Sequence, residues 1–153
     1  MDAITLLKAD HKKVEDLFKQ VEELSDTAHA TRAKLFVTID RELTVHSRVE
    51  ETIFYPALKA KTKKDTEQSD GVLEAYEEHA NVKAMIQKLE ALEPSDETYN
   101  AKLQVLSELV KHHVKEEETE MFKQARQLLS ESELAALGKQ IEVAKGNVLV
   151  GSR

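Results

Sequence analysis

The feature that most constrains this chain is a repeat written in metal-ligand residues. His46 and Glu50 stand four apart in TVHSRVEETIFYP, Thr44 to Pro56, and His113 and Glu117 stand four apart in HVKEEETEMF, with Glu50-Glu51-Thr52 matched by Glu117-Glu118-Thr119. On a helix a four-residue step puts an imidazole and a carboxylate on one face, about one turn apart. A further histidine precedes each pair at nearly the same distance, His11 lying 35 residues before His46 and His79 lying 34 before His113. Chance explains a doubled pattern of this kind poorly, and the pattern demands a fold that can gather four separate helical faces.

The composition supports helix throughout. Among 153 residues there are only four glycines and two prolines, and a third are charged, with Ala, Leu, Glu and Lys prominent. That is the profile of an all-α chain. The length fits one domain spanning 1–153. The absence of cysteine rules out disulfides, thiolate zinc sites and iron–sulfur clusters, leaving His, Asp and Glu as the strong metal ligands. A formal net charge of −7 argues against nucleic acid, and the KAKTKK run at Lys59 to Lys64 is short enough to read as a solvated loop. Neither a signal-like start nor a run of 18 apolar residues is present, so a cytoplasmic protein with no membrane partner is expected.

Apolar periodicity predicts an up-down-up-down four-helix bundle over about 2–129, followed by a short C-terminal helix over about 131–145. The first helix, about Asp2 to Leu24, carries Ile4, Leu7, His11, Val14, Phe18 and Val21 at steps of three and four. The second, about Thr31 to Lys59, carries Phe36, Ile39, Leu43, His46, Glu50, Ile53 and Ala57, with Pro56 placed to bend or end it. A linker over Lys61 to Asp70 precedes a third helix, about Val72 to Leu92, with Val72, Tyr76, His79, Val82, Ile86 and Leu89 inward. The fourth, about Glu97 to Leu129 and entered through a Ser95 or Asp96 cap, carries Tyr99, Leu103, Leu106, Val110, His113, Glu117 and Met121. A second register, with His112 and Glu116 inward, also satisfies the periodicity; the match to the first half favours His113 and Glu117. Ser130 and Glu133 form a capping box that opens the last helix.

Glu50 is a carboxylate inside an apolar stripe. Burying it as an unpaired ion costs several kcal/mol, so it must be protonated, ion-paired or metal-bound. Replacing it with Gln is therefore expected to leave a metal-free chain no less stable. Glu51, about 100° around the helix, reads as a solvated residue or a supporting partner. At about 1.5 Å per residue, His11, His46, His79 and His113 all lie about 20 to 24 Å from the turns that join their helices. His11, His46, Glu50, His79, His113 and Glu117 thus fall in one layer. Four imidazoles and two carboxylates exceed the needs of one zinc and suit two five- or six-coordinate ions bridged by the glutamates, with iron the best match to this donor set.

These residues resemble the hemerythrin family. The likeness to a hemerythrin HHE cation-binding domain runs from about Ile4 to Lys145 and rests on ADHKKV, HSRVEETIFYP, YEEHANV, HHVKEEETEMF and SESELAALGKQIE. It implies an oxo- or hydroxo-bridged pair of iron ions held by the six residues just named. Oxygen-carrying hemerythrins have a further histidine one turn from His79, where this chain has Ala75 and Lys83. Water, hydroxide or a tyrosine would then complete the shell, with Tyr76 nearest in sequence, and Ile53, Val82, Val110 and Met121 would form a dry pocket around the exchangeable position. The expected function is binding or reaction of O2, peroxide or nitric oxide, including peroxide consumption. The alternative is non-enzymatic iron holding, iron donation or sensing through an unnamed redox or protein partner.

Overall fold

The predicted apolar stripes become buried helix faces except at Ile53, Ala57 and Tyr76, which are half-buried. In the computed structural model, which describes residues 1–151 and side chains up to residue 146, α1 spans Ala3–Glu22 and buries Ile4, Leu7, His11, Val14, Phe18 and Val21. Asp2 caps it, its Oδ1 accepting from the Thr5 N–H at 2.8 Å. The second rod is α2, His29–Val49, a π-helical turn over Glu50–Phe54, then α3, Tyr55–Lys59. The third is α4, Glu67–Glu90. The fourth repeats the second: α5, Tyr99–Glu116, a π turn over Glu117–Met121, and α6, Phe122–Leu128. With α7, Glu131–Gly151, five rods make up an all-helical bundle with no strand among the described residues.

Both π turns begin at the glutamate of an H-x-x-x-E pair, and they alter the expected faces. One extra residue per turn rotates the rest of the helix, so Phe54, Tyr55 and Leu58 are buried where Ile53 and Ala57 were expected, and these two are only half-buried. Pro56 neither ends nor breaks the rod. In the i→i+5 register the Glu51 carbonyl faces residue 56, which has no N–H, and the Tyr76 hydroxyl supplies that bond at 3.1 Å.

The connection between the halves is shorter than the linker expected from sequence, whereas the turn between α4 and α5 is longer, α4 ending at Glu90 and α5 starting at Tyr99. Helix α4 starts at Glu67 because Thr66 caps it, accepting from the Ser69 N–H at 3.3 Å, and Gly71 lies inside the helix. Asp96, not Ser95, organises the turn into α5, its Oδ1 accepting from the Thr98 N–H at 2.8 Å. The capping box forms, with Ser130 N–H on Glu133 at 2.9 Å and Glu133 N–H on Ser130 Oγ at 3.0 Å. Helix α7 runs to Gly151, beyond the expected end near 145, and packs across α1 and α2. Gly138 permits the close crossing: a Cβ there would lie 2.2 Å from the Met1 carbonyl oxygen.

Two apolar clusters fill the bundle. One gathers Ile4, Leu7, Phe54, Leu58, Phe122 and the α7 residues Leu134 and Ile141; the other gathers Phe18, Phe36, Ile39, Leu89, Leu103 and Leu106. Between them four buried histidines and two buried glutamates lie in one layer.

Candidate metal centre

That layer contains His11, His46, Glu50, His79, His113 and Glu117, each no more than 7% exposed. The inward imidazole nitrogens face the two carboxylates. His46 Nε2 lies 3.0 Å from Glu50 Oε1 and His79 Nε2 lies 3.1 Å from the same oxygen. His11 Nε2 lies 3.0 Å from Glu117 Oε1, and His113 Nε2 lies 3.3 Å from Glu117 Oε2. Two overlapping donor groups result, His11, His46, Glu50 and Glu117 on one side and Glu50, His79 and His113 on the other, with the ligand atoms of each within 4.8 Å of one another. His113 faces this interior, while the side chain of His112 is 66% exposed.

A set of carboxylates holds the outer nitrogen of every one of these imidazoles. His46 Nδ1 donates to Asp10 at 2.8 Å, His11 Nδ1 to Glu118 at 2.6 Å, His79 Nδ1 to Glu51 at 3.0 Å and His113 Nδ1 to Glu78 at 2.7 Å. A carboxylate acceptor fixes the proton on Nδ1 and turns the Nε2 lone pair inward, the arrangement that orients metal-binding histidines. Sequence spacing left Glu51 open and did not find Asp10, Glu78 or Glu118. Their signal is positional: Asp10 and Glu78 each precede a histidine of the layer, and Glu51 and Glu118 each follow a glutamate of it.

The tyrosine of the centre is Tyr55, not Tyr76. The Tyr76 hydroxyl is used on the Glu51 carbonyl, whereas the fully buried Tyr55 hydroxyl donates to Glu117 and lies 3.2 Å from each of Glu50 Oε1, His79 Nε2 and His113 Nε2. A phenol has one proton to give, yet four ligand-type atoms surround this oxygen. A cavity of about 30 Å³ lies against the four histidines, walled by Val14, Leu43, Val82, Val110 and Val114. Val82 and Val110 thus line it as expected; Ile53 and Met121 pack with the opposite apolar cluster.

Electrostatics describe what such a centre does without a cation. Burial disfavours the His46 cation, but the Glu50 charge 3.0 Å away and the hydrogen bond to Asp10 outweigh it and raise the pKa to about 10. His113 is likewise disfavoured by burial and raised to about 9 by Glu117, Glu50 and Glu78. Glu50, despite burial, is held well below the usual carboxylate range by His46, His79 and Glu117, and burial beside both glutamates pushes Tyr55 well up. Four buried atoms of the layer, His11 Nε2, His46 Nε2, Glu50 Oε2 and Glu117 Oε1, still have no hydrogen-bond partner. Unpaired buried polar atoms are costly, and here they point at one another across a space lined with imidazole and carboxylate donors. The donor set fits a cation.

Fold and site together define a helix bundle with a buried histidine–carboxylate centre. Residues 2–125 match the family described as Hemerythrin HHE cation binding domain, and the chain belongs to that family. A hemerythrin HHE cation binding domain-containing protein from Mycobacterium kansasii has the same fold, at a TM-score of 0.80 and 25% identity, over 98% of this chain and 91% of that one. A DNA nickase from Nostoc sp. is 25% identical over 148 residues, which is 97% of this chain but only 40% of that protein.

Proposed function

We propose that the chain acts as one hemerythrin-like unit in which two iron ions are held by His11, His46, Glu50, His79, His113 and Glu117, and that the centre reacts with O2, peroxide or nitric oxide. One observation carries this reading: four inward donor atoms lack hydrogen-bond partners while every histidine of the layer is braced from behind by a carboxylate. Glu50 and Glu117 each contact one histidine from either half, which suits them to bridge. Tyr55 would offer a further oxygen beside His79 and His113.

Iron would supply electrons and a Lewis-acidic site for a small oxidant. The chain's residues do the rest. Asp10, Glu51, Glu78 and Glu118 keep the imidazoles aimed inward, the valine-lined cavity admits a molecule about the size of one or two waters, and the Tyr55 hydroxyl holds a proton beside Glu117. DNA nicking, the activity named for the Nostoc relative, finds no support in a chain of formal net charge −7 that spans 40% of that protein.

Elemental analysis after aerobic iron loading tests the centre. About two irons per chain are expected, falling sharply in His113→Ala and His46→Ala; one zinc and no stable iron would refute it. Peroxide consumption by the loaded protein then separates turnover from the alternative, iron holding or sensing, in which peroxide persists.

A further inference from the structure

A second cluster of ligand residues lies outside the centre. Glu78 on α4 and His112 and Glu116 on α5 bring three ligand atoms within 4.8 Å of one another, with His112 Nε2 3.5 Å from Glu78 Oε2 and 3.1 Å from Glu116 Oε1. A single imidazole between two carboxylates makes an open, three-ligand face for a divalent cation, and the remaining positions are available to water. Glu78 also belongs to the centre, since its other oxygen accepts from His113 Nδ1 at 2.7 Å. One carboxylate therefore touches both clusters.

The cluster stands beside an acidic groove of about 460 Å³ between α4 and the fourth rod, and Glu78 and Glu116 belong to both. Glu67, Asp70, Glu74, Glu117 and Glu120 are its other carboxylates, and among the described residues no lysine or arginine lines it. Its lining includes His113 and Glu117, which are 6% and 2% exposed. A wall of one sign in a cleft concentrates counter-ions and speeds their arrival. The carboxylates therefore draw cations toward two residues of the buried centre.

We infer that Glu78, His112 and Glu116 form a surface site for a divalent transition-metal cation, and that the groove carries the ion from there to His113 and Glu117. The surface site is independent of the buried one; the route rests on the proposed iron centre. The capture site keeps its ion loosely because two of its three ligands are exposed, and the centre, with more donors and no competing water, retains it.

Two measurements on the full chain test this. Mn2+ is titrated into wild type and His112→Ala/Glu116→Gln, and bound ions are counted from loss of the free-ion EPR signal. Wild type is expected to take up one ion more than the variant, and equal counts overturn the surface site. Fe2+ uptake is followed by stopped-flow absorbance. The variant should load roughly tenfold more slowly yet reach the wild-type iron content after dialysis, while Glu108→Gln, which removes an exposed α5 carboxylate outside the groove, loads at the wild-type rate. Equal rates in the double variant and wild type overturn the route. Wild type that takes up no iron overturns the centre and the route together, and the Mn2+ count still decides the surface site.

Discussion

The two halves of the bundle are near copies that part at the fifth residue after each glutamate. In the first half that residue is Tyr55, whose hydroxyl enters the centre; in the second it is Phe122, whose ring stacks on His11 at 5.8 Å with the planes 7° apart. The rest of the layer is exchanged symmetrically. Glu51 of the first half braces His79 of the second, and Glu118 of the second braces His11 of the first. A duplicated scaffold thus aims the imidazoles, and one oxygen makes the two sides chemically unequal.

The largest effects should come from the two carboxylates shared between the halves. Glu50→Gln and Glu117→Gln are each expected to lower cation affinity by about 100-fold or more, beyond the 10- to 100-fold typical of losing a supporting partner. Chelator competition measures this. The structure also reverses the expectation that metal-free Glu50→Gln is no less stable. That expectation requires a carboxylate without partners, and His46, His79 and Tyr55 all reach Glu50. Removing one partner of a buried pair leaves the other uncompensated, so thermal melts of the metal-free variant should show a loss of up to about 3 kcal/mol, limited by release of the His46 proton. A metal-free Gln variant as stable as wild type would mean that this pairing contributes nothing.

Proton uptake compares the halves directly. His46 rises to about 10 and His113 to about 9, from an unfolded value near 6.5. The stability these raised values contribute is complete below 6.5 and is lost as pH climbs through 9 and then 10. Glu50 is shifted the opposite way, so its contribution is present above its ordinary 4.5 and is lost as pH falls through its depressed folded value. The metal-free chain should therefore weaken at alkaline pH, with the His113 side releasing first. Cations need neutral imidazoles, so binding at pH 7 should release protons and strengthen by about tenfold per pH unit for each proton displaced. Titration calorimetry in buffers of different ionisation enthalpy counts them; no proton release would contradict the pairing described.

Changing the fifth residue tests the asymmetry itself. Tyr55→Phe makes the halves alike and should weaken the cation on the His79–His113 side by roughly 10- to 100-fold. If the phenol binds iron as phenolate, the loaded wild type should also show a visible charge-transfer band that Tyr55→Phe lacks. Phe122→Tyr adds an oxygen to a packed position against His11 and should cost about 1 to 3 kcal/mol. A wild-type spectrum retained in Tyr55→Phe would remove Tyr55 from the centre.

Much of this was readable from the chain because helices make periodicity visible. The six residues of the layer follow from two copies of one spacing, and equal distances from the turns place them at one level. Tyr55 was hidden because finding it requires an i→i+5 step: an ideal α-helix directs residue 54 along the Glu50 face, and only the π turn brings residue 55 there. Thr66 moved the start of α4 because a cap outweighs the helix-weakening Gly71 that marked the boundary in sequence. The bracing carboxylates were hidden for a different reason. Asp10, Glu78 and Glu118 lie beside the apolar stripes among many solvated acids, and only the packing of neighbouring helices selects them.

The smallest expected effect concerns a second inequality between the halves, at Lys145. Its Nζ bonds Asp10 Oδ1, while Asp10 Oδ2 accepts from His46 Nδ1 at 2.8 Å. Glu78 does for His113 what Asp10 does for His46, but its other oxygen lies beside His112. Helix α7 therefore steadies the first half alone through this contact. Burial disfavours the Asp10 anion, yet His46 and Lys145 together hold its pKa below the usual value. Lys145→Met keeps the aliphatic stem and removes the charge, and His46 still favours the Asp10 anion. The loss should therefore be about 1 kcal/mol, at the upper end for a partly exposed pair. For a chain of this size that is about 2 to 4 °C in Tm. Cation affinity should fall by less than roughly tenfold, confined to the His11–His46 side, and Lys145→Arg should restore both. A Lys145→Met chain that loses cation from the His79–His113 side instead would show that α7 acts on the whole centre, not on the half it touches.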